Sequence, residues 1–366
     1  MIILLNITMY FCKSLKRNFN GTVVLKSVEL ILSAIRKIIS IILFLNICST
    51  GYTQIIKGTI LDQNTHNRII FAAVYFNGTL VGTRTDQNGY FELDISKNLS
   101  MQLIISALGY YSVTLTDFII DKPYLIYLEP KVFELKEVTI IGTANSAASK
   151  KFNIFKREFL GTTLNAKNCE INNKNDIKLI YSSDNDTLKA FSSNPIVINN
   201  KALGYKISYY LDKFEFCKTN NYLLLIGNYI FKEDSSIKNS QYQRFENRRK
   251  NAYLGSRMHF FRSLWENNLD SAGFMVRDSI NRRLSYEKFV IQSDTLTVSD
   301  HAKYLKYHGN LSVTYYTKFF ESRIEMVKEY VYFDRNGFFD PTGIRWDGDM
   351  ARQRIGDLLP FEYKIN

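Results

Sequence analysis

The chain has 366 residues, of which 46% are hydrophobic and 14% aromatic, and its formal net charge is +12 at pH 7. This content is sufficient for more than one packed core and excludes an intrinsically disordered protein. Residues 1–53 carry six Lys or Arg and one Asp or Glu, so the remainder has a charge of +7 (12 minus 5). That moderate excess is weak evidence for a nucleic-acid partner, which would also require the right compartment, and the export signal described next argues against that compartment.

The N-terminal region has the pattern of an export signal. Arg36 and Lys37 precede an apolar run, Ile38–Ile47, and small residues follow up to Gln54. This pattern predicts a secretory signal peptide within a leader at residues 1–53, with the mature protein starting between residues 52 and 55. The run is shorter than the about 20 residues of a membrane-spanning helix, so an anchor is the weaker alternative. We therefore expect an exported protein, periplasmic or associated with the outer membrane.

Short strands separated by turn residues follow at residues 54–141. The most informative is the segment Gly82–Leu93, in which Asp86, Asn88 and Gly89 supply a tight turn between two β-branched and aromatic arms. These arms predict a hairpin. Strands are also expected around it, at Ile55–Asp62, Phe71–Tyr75, Leu103–Tyr110, Tyr124–Pro130 and Val132–Ile141. Their even spacing predicts a small β-sandwich.

In this order, the motifs resemble the carboxypeptidase regulatory-like domain, a transthyretin-like sandwich of many bacterial envelope proteins. The resemblance covers residues 54–141 and implies an accessory docking or spacer module, which offers edge strands or loops to a partner. It implies no catalytic residue, because one fold hosts many functions.

A small, polar stretch at residues 142–150 predicts a linker to a second domain at residues 151–366. Alternating segments such as Tyr205–Tyr209 predict strands of a sheet that is half open to water. Residues 241–269 predict one central helix, broken near Gly255, and Asp349–Leu359 a short helix that ends at Pro360. The predicted fold class is therefore mainly β: a transthyretin-like sandwich followed by an α+β domain with a β-sheet and one central helix. Blocks at 199–211, 252–264 and 354–360 resemble uncharacterised exported proteins of this architecture.

No catalytic residue, metal site or cofactor is predicted. The third residue after each of the four histidines is Ile69, Arg262, Tyr304 or Leu311, so no His-x-x-Glu zinc motif exists. The chain also has no nucleophile elbow, phosphate-binding loop or dinucleotide-binding motif.

The candidate binding residues are Arg248, Arg257, His259 and Arg262, on the predicted central helix. Residues 248, 259 and 262 fall near one stripe of a continuous helix, where an anion could bind; the alternative is a solvated face. Tyrosines of the predicted sheet could instead stack on a sugar or peptide, or pack in the core: Tyr205, Tyr209, Tyr210 and Tyr222.

Cys169 and Cys217 are the two cysteines that follow the leader. In an oxidising compartment they either form a disulfide or remain two thiols, and both alternatives stay open.

These features predict an exported, non-enzymatic binding or envelope-assembly protein with an envelope protein or glycan as partner. The alternative is an envelope glycan or peptide hydrolase with an unrecognised site in the C-terminal domain. A deep pocket beside His259 would favour the hydrolase, and a flat aromatic face would favour binding.

Overall fold

The computed structural model describes Ser33 and residues 54–96, 101–116, 122–131, 145–234, 241–292 and 303–365. Residues from Gln54 onward form one compact unit that is mostly β. The predicted signal segment and the predicted strand Val132–Ile141 lie outside the described residues.

The N-terminal part is a β-sandwich, as predicted. One sheet has the strand order β4-β1-β7 and the other the order β3-β2-β5-β6. Ile60, Phe91 and Leu128 of the first sheet share one buried core with Val74 and Leu103 of the second. The strands are β1 (Ile55–Asp62), β2 (Ala73–Phe76), β3 (Gly82–Arg84), β4 (Tyr90–Asp94), β5 (Leu103–Ser106), β6 (Val113–Leu115) and β7 (Tyr124–Leu128).

The predicted turn at Asp86–Gly89 is present, but the predicted hairpin is wrong. Asp86 Oδ1 accepts hydrogen bonds from the amides of Asn88 and Tyr90, and Gly89 has φ +66°. The two arms, however, belong to different sheets: β3 pairs with β2, and β4 pairs with β1. The buried Thr85 hydroxyl donates to the Ile69 carbonyl and accepts from the Ala72 amide, which holds the chain where it crosses between the sheets.

The predicted linker is wrong from residue 145 onward, because helix α1 (Asn145–Leu160) begins there. Phe152, Phe155 and Phe159 recur at helical spacing, and Phe155 and Phe159 are fully buried against the following sheet. That packing stabilises a helix through a stretch whose small, polar residues indicated a linker. A short helix, α2 (Leu164–Lys167), follows, with Thr163 as its N-cap.

The next sheet has six strands. Its order is β8-β11-β12-β10-β9, with β13 along the other side of β12. β12 and β13 form a long antiparallel pair, and in the part of the chain that the structure describes β13 has no other strand partner, so it is an edge strand. The strands are β8 (Cys169–Ile171), β9 (Ile177–Ser182), β10 (Thr187–Ser192), β11 (Ile196–Asn200), β12 (Tyr205–Cys217) and β13 (Tyr222–Glu233).

The predicted central helix is two helices, α3 (Tyr242–Tyr253) and α4 (Arg257–Trp265). The break falls at Gly255, as expected: its φ is +80°, and the Ser256 hydroxyl caps α4 by accepting from the His259 amide. Helix α4 contributes Phe260 and Phe261 to a second core, which also includes Phe333 of a later strand.

Two further sheets follow, where the sequence indicated one sheet for the whole domain. One has the order β14-β17-β18-β20 and the other the order β15-β16-β19. Near the C-terminus the helix predicted over 349–359 is shorter, ending at Arg352. The elements are β14 (Phe274–Arg277), β15 (Val290–Gln292), β16 (Lys303–Leu305), β17 (Asn310–Tyr315), β18 (Phe320–Met326), β19 (Val331–Phe333), β20 (Ile344–Gly348) and helix α5 (Asp349–Arg352).

The sandwich is tied to the rest of the unit by its β2–β3 turn. The Gly78 amide donates to the Tyr229 carbonyl at 2.7 Å, and the Phe231 amide donates to the Thr79 carbonyl at 2.9 Å. The Phe361 amide donates to the Gly78 carbonyl at 2.9 Å. This turn therefore covers the outer edge of β13 at residues 229–231 and leaves the preceding part of that edge uncovered.

Candidate binding cleft

A cleft of about 1440 Å³ lies between the six-stranded sheet and the β14-β17-β18-β20 sheet. One wall is β13 from Tyr222 to Tyr229, and another is β20. The first residues of α4 and the C-terminal segment around Arg354 complete the lining. The lining combines apolar side chains with many polar and charged ones, and concave sites are where proteins commonly bind ligands.

The wall formed by β13 is an open strand edge. Among the described residues, the backbone groups of Leu223–Asn228 make no hydrogen bond beyond their pairing with β12. The segment Tyr222–Phe231 contains no charged residue and no proline. Edge strands are commonly protected by such residues, as the opposite edge strand, β9, is by Lys178. β13 is thus an edge without the usual protection.

The facing wall also ends in an edge strand, since within the described ranges β20 pairs only with β18. Ile344 is buried toward the core, whereas Arg345 and Asp347 are exposed. Arg345 pairs with Glu325 at 2.9 Å and lies 5.6 Å from the centre of the Tyr222 ring on the opposite wall. Two strand edges therefore border one cleft.

Two arginines line the cleft without a close carboxylate. The Arg257 guanidinium donates to the Gln353 carbonyl at 3.0 Å, and that of Arg354 donates to the Ala351 carbonyl. Within the described part of the chain, neither forms an ion pair within 4.0 Å. Burial, together with the like charge of Arg354, lowers the pKa of Arg257 to about 10, and burial also lowers the pKa of Arg354.

Asp357 acts electrostatically on Arg257, and Glu158 on Arg354, but neither acid lies within ion-pair distance of these arginines and both bind other groups. Asp357 accepts hydrogen bonds from the Thr163 hydroxyl at 2.8 Å and the Asn165 amide at 3.0 Å. Burial raises the pKa of Asp357. Glu158, which favours the charged form of Arg354, pairs with Arg157. Two positive charges in a partly desolvated site with no ion-pair partner favour a bound anion.

Of the four predicted binding residues, only Arg257 lines the cleft. The predicted stripe of residues 248, 259 and 262 is wrong, because the turn at Gly255 separates α3 from α4 and helical spacing does not continue across it. Arg248 instead lies at 3.4 Å from the Ala202 carbonyl. Arg262 donates to the carbonyls of Asn336, Phe361 and Tyr363 at 2.9, 2.8 and 2.7 Å, so it holds the C-terminal segment against α4.

His259 is a core residue. Its ring lies 4.8 Å from that of Tyr253 and 4.9 Å from that of Phe274, and its Nδ1 accepts the Gly255 amide at 3.2 Å. Burial lowers its pKa to about 4, with smaller contributions from the positive charges of Arg262 and Lys318. The cleft does lie beside α4, but the imidazole does not line it.

The two cysteines are free thiols. Cys169 on β8 pairs with Asn200 on β11, and Asn200 pairs with Tyr205 at the start of β12. Cys217 is at the other end of β12. At about 3.3 Å per residue the two positions are on the order of 40 Å apart along the strand, whereas a disulfide requires Cα atoms within about 7 Å. The disulfide alternative is therefore wrong.

The four tyrosines do not form one stacking platform. Tyr205 and Tyr209 are buried in the core, and Tyr210 stacks on Tyr75 at 5.3 Å. Only Tyr222 is exposed, and it lines the cleft.

Within the described ranges, no group of three or more His, Cys, Asp or Glu side chains is placed to hold a metal ion. Nor does any helix of the described part of the chain combine the length and the apolar content needed to cross a membrane.

Residues 56–140 match the family model of the CarboxypepD_reg-like domain, which confirms the resemblance seen in the strand pattern. No functionally curated protein matches the chain. A similar solved structure is the crystal structure of a Bacteroides fragilis protein of unknown function, provisionally described as membrane-associated. The identity is 11%, 81% of this chain and 93% of that chain are covered, and the TM-score is 0.17. A similarity at that level carries no argument about fold or function.

The sequence contained one signal of the cleft that composition and motifs did not reveal, and none that connects its two arginines. The uncharged run Tyr222–Phe231 indicated a strand without charged residues to protect it. Whether such a strand lies at the edge of a sheet depends on its pairing with strands that are distant in sequence. Arg354 lies 97 positions after Arg257 (354 minus 257), so no local spacing connects the two.

Proposed function

We propose that this chain is an exported binding protein of the bacterial envelope whose cleft takes a ligand with a carboxylate group. The observation that carries the proposal is the pair Arg257 and Arg354, two partly desolvated cations in the cleft without an ion-pair partner among the described residues. Guanidinium groups bind carboxylates by charge-assisted hydrogen bonds. Export rests on the sequence pattern at residues 36–54, and the regulatory-like sandwich is consistent with an envelope protein.

The hydrolase alternative has one supporting observation. Asp212 and Asp357 line the cleft, and burial raises the pKa of both carboxyls, as in many acid catalysts. Against a serine hydrolase, the Ser256 hydroxyl is the N-cap of α4 and accepts a hydrogen bond from the His259 amide, and the His259 ring faces aromatic side chains. The serine and histidine nearest the cleft therefore do not act as a nucleophile and its base. Binding is the better-supported function.

The test uses N-acetylglycine as a carboxylate probe and N-acetylglycinamide as its neutral control. The carboxylate should raise the melting temperature of the protein in a concentration-dependent way, because a ligand that binds only the folded state stabilises it by mass action. The neutral amide should not. Arg354→Gln should abolish the shift, whereas Arg335→Gln, an exposed position outside the cleft, should retain it. Equal shifts with both probes, or no shift with either, would contradict the proposal.

A further inference from the structure

The open part of the β13 edge is long enough to pair with another strand. Seven residues, Tyr222–Asn228, line the cleft before the β2–β3 turn covers the edge. At about 3.3 Å per residue they span about 23 Å, the length of an ordinary strand.

The backbone groups that point out of this edge follow from the covered part. Tyr229 and Phe231 direct their peptide groups away from β12, since they bond to Asn77, Gly78 and Thr79 of the sandwich. Peptide groups alternate along a strand. The outward positions within the open part are therefore Leu223, Leu225 and Gly227, which supply a ladder of donors and acceptors.

The arginine pair lies near one end of this ladder. Arg257 begins helix α4, and Arg262 of the same helix donates to the carbonyl of Phe361, whose own amide donates to Gly78 beside Tyr229. Arg257 and Arg354 line the cleft together with Tyr229, which follows the open segment, so the pair is at the C-terminal end of the open edge. A partner strand that pairs with this edge and places its C-terminal carboxylate at the arginine pair must run parallel to β13. Binding of this kind combines two known recognition modes, strand addition and carboxylate capture.

We propose that the cleft binds the C-terminal segment of a partner polypeptide as an extended strand, paired in parallel with β13 at Leu223–Asn228 and with its terminal carboxylate at Arg257 and Arg354. The proposal rests on the carboxylate-binding function above and names its ligand class. Charge complementarity selects the occupant: the uncharged edge accepts any main chain, and the arginine pair adds a requirement for a negative end. The facing edge of β20 closes the other side of the cleft and is available to the same main chain.

The experiment uses the full chain and three pools of N-acetylated six-residue peptides built from Val, Thr, Ser and Ala. The first pool has a free C-terminal carboxylate, the second a C-terminal amide, and the third a free carboxylate with N-methyl groups on alternate backbone nitrogens. Binding is measured by calorimetry, and hydrogen exchange is followed at the Leu223, Leu225 and Gly227 amides.

The free-carboxylate pool should bind and slow exchange at these three amides. The amide pool and the N-methylated pool should each bind at least tenfold more weakly. Leu224→Lys, which places a charge on the open edge, should also weaken binding at least tenfold, whereas Ile180→Lys, on the opposite edge strand β9, should leave it unchanged.

The contradicting outcomes separate the two proposals. If the N-methylated pool binds as well as the unmodified one, strand addition is wrong and carboxylate binding stands. If the amide pool binds equally well, the carboxylate anchor is wrong. If no pool binds and N-acetylglycine gives no shift, both proposals fail. Protection of the three amides that depends on protein concentration without peptide would identify a second copy of this chain as the occupant and overturn the assignment.

Discussion

Replacement of His259 by Asn tests whether this histidine belongs to the core or to a site. The residue is 9% exposed, and its Nδ1 accepts a hydrogen bond from the Gly255 amide at 3.2 Å. The Asn side chain retains a short acceptor but does not titrate. His259→Asn should lower stability at every pH, because the ring's contacts with Tyr253 and Phe274 are lost.

The informative quantity is the pH dependence of stability. Burial lowers the pKa of His259 from 6.5 to about 4, so the unfolded chain binds a proton more readily than the folded one. Its contribution to stability is therefore fully present above pH 6.5 and is lost as the pH falls toward 4. A shift of about 2.5 pH units at about 1.36 kcal/mol per unit corresponds to about 3 kcal/mol.

The assay is urea unfolding of both proteins between pH 4 and pH 7. The parent protein should lose about 3 kcal/mol more than His259→Asn over this range, since every other titrating group is common to the two. Parallel stability curves would refute the buried, neutral state of His259. An increase in the parent protein's relative stability on acidification would indicate instead that the imidazolium has a carboxylate partner.

Three further changes test the packing around the cleft. Gly78→Ala places a Cβ 2.5 Å from the Phe361 ring in a backbone conformation with φ +74°. Thermal unfolding should therefore show a loss of stability of about 1–3 kcal/mol, and no loss would contradict the contact between the β2–β3 turn and the C-terminal segment. Arg262→Met leaves three carbonyls without their donor and should cost about 3 kcal/mol in urea unfolding, whereas an effect below 1 kcal/mol would show that water replaces the guanidinium. Burial raises the pKa of Asp334 from 3.8 to about 6, so the folded protein binds this proton more tightly than the unfolded chain does. The free energy of unfolding should therefore fall by up to about 3 kcal/mol as the pH rises from about 4 to about 6. Asp334→Asn should remove that fall, and a variant with the pH profile of the parent protein would contradict the raised pKa.

Local sequence patterns predicted the fold well where the structure of a segment depends mainly on its own residues. The strand pattern of the sandwich and the break at Gly255 depend on neighbouring residues, and the structure agrees with both. The hairpin prediction at Gly82–Leu93 was wrong because turn chemistry fixes the bend but not the sheet that each arm joins. The linker prediction was wrong because the helix at residue 145 is stabilised by phenylalanines further along.

The candidate site was harder to predict, because it is made by long-range packing. Arg257 was identified from its position in a basic segment in the middle of the domain, but its partner Arg354 comes from near the C-terminus. Arg262 and His259 share that segment with Arg257, yet carbonyl groups of the C-terminal segment and aromatic rings of the second core surround them. The same residue types therefore have three different roles within six positions, Arg257–Arg262.

The most direct measurement is a crystal structure of the full chain with one peptide selected from the free-carboxylate pool. We expect an extended peptide paired in parallel with β13, with its terminal carboxylate within hydrogen-bond distance of Arg257 or Arg354. A peptide bound outside the cleft, or one in the cleft with its carboxylate in solvent and its main chain unpaired with β13, would contradict it.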